Sequence, residues 1–123
     1  MMNNGRPKIK SDEMYQLLRE QRIDEFNARR ARGESCDLTE ADFRGLDLRE
    51  LHVEGLDFSN SSFRLADLRG LNLSSCRLEG ASIKGAHISG AYFPKEICPD
   101  EILLSLMHGT CMRYRVEHIS PLE

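Results

Sequence analysis

From Cys36 onward the apolar positions recur every five residues. In CDLTE, ADFRG, LDLRE and LHVEG, residues 36–55, the third residue of each group is Leu38, Phe43, Leu48 or Val53. The phase continues through Phe58, Phe63, Leu68, Leu73, Leu78, Ile83, Ile88 and Phe93. All twelve third positions are apolar in a chain that is 40% apolar, which chance does not produce. The first positions are just as restricted: Leu46, Leu51, Leu56 and Leu71 are leucines, and the other eight are Cys, Ala or Ser. Strands repeat every two residues and α-helices every 3.6, so neither explains a period of five.

Two inward residues per five, one small and one large, suit a chain that turns a corner after each group. Asp or Asn fills half of the slots between them, as Asp37, Asp42, Asp47, Asp57, Asp67 and Asn72. Such side chains bond nearby backbone amides at corners. Gly45, Gly55, Gly70, Gly80, Gly85 and Gly90 close their groups and permit the backbone angles a corner can require. Stacked turns of this kind bury a continuous inner column, which is the logic of a solenoid.

CDLTE, ADFRG, ADLRG, LNLSS and ASIKG resemble the pentapeptide-repeat consensus, roughly A-(D/N)-L-x-x, over residues 36–95. The resemblance implies an all-β solenoid core, a right-handed quadrilateral β-helix with four pentapeptides per coil. Residues 36–95 would then make about three coils, capped by α-helices at both ends. The large residues would stack as Leu38–Phe58–Leu78, Phe43–Phe63–Ile83, Leu48–Leu68–Ile88 and Val53–Leu73–Phe93, with Phe63 buried between Phe43 and Ile83. Cys36 and Cys76 would share a column with Leu56 between them, about 9–10 Å apart and too far for a disulfide.

A solenoid needs caps, and the sequence changes character where they are expected. Residues 1–10 read as a flexible tail and 11–35 as a helical cap. Ser11 is the expected N-cap, with Asp12 and Glu13 in the first turn. Met14, Leu17 and Leu18 form one apolar face, and Ile23 and Phe26 another. The five-residue step from Leu18 to Ile23 breaks helical phase, which predicts two short helices or one bent helix, ending at Gly33. Residues 96–123 read as the other cap. Pro99-Asp100-Glu101 opens a helix, ILLSLMH supplies its apolar face and Gly109 closes it. The tail beyond carries Met112, Tyr114, Val116 and Ile119, more apolar than a solvated tail needs. They either pack on the last coil or meet a second subunit. Members of the resembled family often dimerise at this end, which favours a homodimer through these four residues.

Composition excludes several classes of function. Net charge is −3 and no apolar run approaches the roughly 18 residues of a membrane helix, so neither tight nucleic-acid binding nor a membrane span is expected. The N-terminus, MMNNGRPKIK, has charge but no apolar stretch and is not a signal peptide, which points to a cytoplasmic protein with reduced thiols. No catalytic constellation is visible. His108 and Cys111, with Cys98 further off, offer too few ligands for zinc, and nothing orients a Cys–His nucleophile pair. No cofactor is expected.

One outward feature stands out on the face map. Arg44, Arg64 and Lys84 fall on one face, and Arg49 and Arg69 on the next. Asp42, Asp47 and Asp67 lie close enough to neutralise this ladder; left unpaired, it is a contact patch for an acidic partner. The expected function is therefore a non-enzymatic protein-binding or scaffold module. Some members of the resembled family act as DNA mimics that bind topoisomerases such as gyrase. Three coils span only about 14 Å, about four base pairs of duplex, and the mimics need acidic faces.

Overall fold

The computed structural model describes residues 6–116. Two helices, α1 (Glu13–Arg19) and α2 (Ile23–Ala31), precede the repeats, and α3 (Pro99–His108) follows them. Between lies a stack of coils whose parallel bridges join residues twenty apart: Asp42 to Ser62, Asp47 to Asp67, Asp57 to Arg77, Ser62 to Ser82, Asp67 to His87 and Asn72 to Tyr92. Turns recur every five residues, so each twenty-residue coil has four corners. The all-β expectation is met in pairing but not in strands. Among the described repeat residues the coils are joined by isolated bridges, because corners leave only short extended stretches between them.

The corners follow from the sequence. Leu46 N–H donates to Phe43 O at 3.2 Å around Arg44 and Gly45, and Gly45 has φ +74°. A left-handed residue at the third position of such a turn is the type II arrangement. The Asp and Asn slots act as predicted. Asp42, Asp47, Asp57, Asp67 and Asn72 each accept, through Oδ1, the backbone N–H two residues on.

The inner columns fill as the five-residue pattern requires. Ten of the twelve large positions, Leu38 through Ile83, are buried, while Ile88 and Phe93 in the last coil are half-buried. Phe43 and Phe63 stack at 5.0 Å, and Phe58 meets both edge-on. Ser61, the one hydroxyl in the small column, is buried yet satisfied: it donates to Leu38 O at 2.7 Å and accepts from Ala41 N–H at 3.1 Å. Cys76 thiol donates to Val53 O, and burial pushes its pKa up to about 11. Cys36, Cys76, Cys98 and Cys111 are all free.

The N-terminal cap is two helices joined at a sharp turn. The N-cap of α1 is Asp12, not Ser11: its carboxylate accepts the Tyr15 N–H at 3.0 Å and satisfies a donor the helix leaves orphaned. The phase break resolves as a Schellman turn, with Arg22 N–H donating to Leu17 O and Gln21 N–H to Leu18 O. Gln21 takes the left-handed position at φ +59°, where glycine is usual. Its side chain gives the reason. The Gln21 amide donates to Asp47 O at 2.9 Å and accepts from Asp47 N–H at 2.8 Å, standing in for the peptide group of a missing coil. Asn27 does the same on the next side, donating to Glu50 O and accepting from His52 N–H. Arg30 donates to His52 O and Glu54 O. Residues 6–10, expected as part of a flexible tail, supply another side: Lys8 N–H donates to Glu40 O and Asp42 N–H to Lys8 O, both at 3.0 Å. Tyr15, not assigned to either apolar face from sequence, is fully buried against Phe43 and donates its hydroxyl to Asp42 O at 2.6 Å. Three sides of the first coil are thus paired by the cap, which blunts the edge it would otherwise offer to another chain.

The C-terminal cap is less complete. Ser105 of α3 accepts from Ile83 N–H, Leu106 O accepts from Gly85 N–H, and Met112 exchanges bonds with Gly80 and Ala81. These cover two sides of the last coil. On the other two, the outward N–H groups of Ile88, Gly90 and Phe93 have no hydrogen-bond partner among the described residues.

Candidate functional site

The five basic candidates occupy two neighbouring faces, and the structure separates them sharply. On the second face, Arg49 holds Asp47 at 2.7 Å and reaches Asp67 at 3.4 Å, while Asp67 holds Arg69 at 2.7 Å. Two arginines and two aspartates alternate and neutralise one another. Hydrogen bonding from Arg69 keeps the Asp67 carboxyl at about 2, and Arg49 lowers that of Asp47 in the same way. All of these side chains keep solvent contact, so the row contributes little to stability.

The first face is different. Arg44 approaches Asp42 only to 3.6 Å, and Arg64 and Lys84 have no carboxylate within ion-pair distance among the described residues. All three are exposed. Arg6 joins them: with Pro7, Asp42, Arg44, Ser62 and Arg64 it lines a shallow depression of about 210 Å³. Three cations and one carboxylate line it, in a chain whose net charge is −3. The stem of Lys84 runs against Gly109 at the end of α3, which ties this face to the C-terminal cap.

Between these cations sits a residue that sequence reasoning passed over. Leu65 closes its pentapeptide where Gly45 and Gly85 close the ones below and above, and it takes the same left-handed backbone, φ +61°. Its side chain lies over Gly85 and is 56% exposed. The signal in the sequence is the interrupted glycine column itself.

The self-association candidates are placed differently from one another. Met112 is fully buried over the chain's own last coil. Tyr114 is half-buried, accepts Leu78 N–H at its hydroxyl and lies beneath the Arg77 guanidinium, 5.6 Å from the ring centre. These two are committed within the chain, because they cap the third coil where a fourth would stack. Val116 is 73% exposed, and Ile119 lies outside the described residues. The exposed apolar surface at this end belongs instead to α3: Leu103, Leu104 and Met107 are 54%, 43% and 59% exposed. ILLSLMH carries more apolar residues than one helix face can bury, which is how the sequence encodes that surface.

No group of three or more His, Cys, Asp or Glu side chains is placed to hold a metal ion among the described residues. No helix there is long and apolar enough to cross a membrane.

A stack of twenty-residue coils with charged flat faces and capped ends is a repeat solenoid. The family model for pentapeptide repeats matches residues 34–64 and 61–94, in eight copies, and the chain belongs to the pentapeptide-repeat proteins. Searches of curated proteins and of solved structures returned no match.

Proposed function

We propose that the chain is a non-enzymatic binding module, built on the right-handed quadrilateral β-helix of its family, that takes a partner protein on the Arg44–Arg64–Lys84 face. One observation carries this reading. Two adjacent faces of one solenoid carry the same kind of basic residue, yet the second is neutralised within the chain while the first leaves Arg64 and Lys84 without a carboxylate among the described residues. The cations of the first are left available to an acidic partner, which would add specificity and association rate more than bulk affinity. The same face argues against mimicry of DNA, which requires carboxylates there.

The test compares capture from soluble extract of the native cells. Wild type should retain an acidic protein that the Arg44→Glu, Arg64→Glu, Lys84→Glu variant loses at least about tenfold. The control, Arg49→Gln with Arg69→Gln, should retain it. Equal capture by wild type and the charge-reversed protein overturns the reading.

We also propose a homodimer through the C-terminal end, formed by α3 rather than by the tail. A twofold contact buries the same patch on both protomers. Antiparallel packing of two α3 helices covers Leu103, Leu104 and Met107, and sets Asp100 of one protomer near His108 of its partner. Light scattering at micromolar concentration should give twice the chain mass of 14.1 kDa. Leu104→Glu combined with Met107→Glu should return the single-chain mass. A wild-type protein that runs as a monomer removes the proposal.

A further inference from the structure

We propose that Leu65 is the apolar centre of the contact surface on the basic face, and that the surface fits an acidic segment carrying an apolar side chain between its carboxylates. The inference rests on the reading of the Arg44–Arg64–Lys84 face as a partner site and names the chemistry of that partner.

The backbone supplies the first observation. Corner residues 45, 65 and 85 form one column, with φ of +74°, +61° and +67°. Glycine adopts this region freely, whereas for a bulky apolar residue it is an outlier. Leu65 is therefore held in a conformation its side chain disfavours, and such residues cluster at functional sites.

The fold does not ask for a leucine there. At the preceding corner Asn60 has the same φ, +61°, and its side chain lies over Gly80 as that of Leu65 lies over Gly85. Asparagine tolerates the left-handed region and bonds water at an exposed corner. Glu40, the other non-glycine repeat corner with positive φ, is polar as well. Of the three, only Leu65 sets an apolar side chain into solvent, 56% exposed.

The surroundings supply the partner's chemistry. Leu65 N–H donates to Lys84 O at 2.9 Å, so Lys84 sits directly across the coil boundary, and Arg64 precedes Leu65 in the chain. Neither cation has a carboxylate partner among the described residues. An apolar knob between two unpaired cations complements a segment in which an apolar residue is flanked by Asp or Glu. A nucleic acid satisfies the cations and leaves the leucine without a purpose, so a peptide is the occupant argued for.

The probes are three labelled ligands read by fluorescence anisotropy. One is an Asp/Glu-rich peptide with a central leucine, the second has serine at that place, and the third is a single-stranded oligonucleotide of matched charge. Wild type should bind the leucine peptide about tenfold tighter than the serine peptide, the range expected for burying most of the peptide's leucine side chain. Leu65→Asn should lose that preference, bind both peptides at the weaker level, and unfold in urea at a midpoint no lower than wild type. A merely structural Leu65 predicts the reverse, a lowered midpoint with the preference intact. The inference is overturned by absence of binding to the leucine peptide, by equal binding of the two peptides, by an unchanged preference in Leu65→Asn, or by tighter binding of the oligonucleotide. If Leu65→Asn keeps the preference while charge reversal abolishes capture of the cellular partner, this inference fails and the reading of the basic face stands. If charge reversal leaves capture intact, that reading fails whatever the peptides do.

Discussion

Phe43→Ala should destabilise the protein by about 4 kcal/mol, within the range for emptying an aromatic core site. Phe43 is fully buried and touches three other rings. It stacks on Phe63 at 5.0 Å with 10° between the planes, meets Phe58 edge-on at 5.6 Å, and receives Tyr15 of the cap edge-on at 5.5 Å. None of the three is free to collapse into the vacancy. Phe58 and Phe63 are fixed by coil-to-coil bonds at their own N–H groups, both 2.8 Å. Tyr15 is held by its hydroxyl bond to Asp42 O. Because the first coil and the α1 cap meet at this ring, the loss should appear as one cooperative transition shifted to lower urea, not as fraying of the N-terminus. The Phe43–Phe63 pair should show a coupling of about 0.5–1.5 kcal/mol in a double-mutant cycle with Phe63→Ala. A single-mutant loss below about 1 kcal/mol would mean that the ring is not packed as described.

The aromatic core is legible in the sequence because the period of five dictates which residues point inward. The same rule placed Leu38 through Ile83 correctly, and it put Arg44, Arg64 and Lys84 on one outer face. Legibility fell away wherever a side chain replaces the backbone. Gln21 and Asn27 look like ordinary polar helix-end residues, yet they act as surrogate peptide groups along the first coil, and no periodicity marks them. Tyr15 is not legible for a related reason: its ring is core and its hydroxyl is a cap to Asp42 O, so hydropathy pattern alone does not assign it. At the basic faces the sequence supplied the cations and the nearby aspartates but not their pairing. Asp67 joins two coils through Arg49 only because of its register, and the same spacing leaves Arg64 and Lys84 without a carboxylate among the described residues, since positions 62 and 82 hold serine. The tail was open to two readings. Tyr114 and Met112 could cover the last coil or a second chain, and the open N–H groups of Leu78 and Gly80 decide it.

Insertion of one residue after Gly70 should abolish the native cooperative transition or lower stability by more than about 3 kcal/mol. Leu71, Leu73, Cys76, Leu78, Ala81 and Ile83 are buried downstream of this corner. A shift by one residue moves each of them out and brings its predecessor in, so that Asn72, Arg77 and Ser82 would face the inner column. Arg77 is the decisive case. Its charge would enter a column lined by Leu38 and Phe58 with no carboxylate to meet it, and an uncompensated buried charge is among the most destabilising changes known. A local bulge is the only escape, and Gly70 is poorly placed for one: its N–H is bonded to Ser89 O at 2.9 Å and Gly90 packs directly above it. The control is a duplication of residues 76–95, which adds a whole coil. It keeps every inward residue in phase and leaves glycine at the corners above Asn60 and Leu65. The duplicated protein should unfold cooperatively at a urea midpoint near or above wild type, because each repeat contacts only its neighbours. If the one-residue insertion melts like wild type, or if the full-coil duplication fails as badly as the insertion, the twenty-residue register does not hold the molecule together.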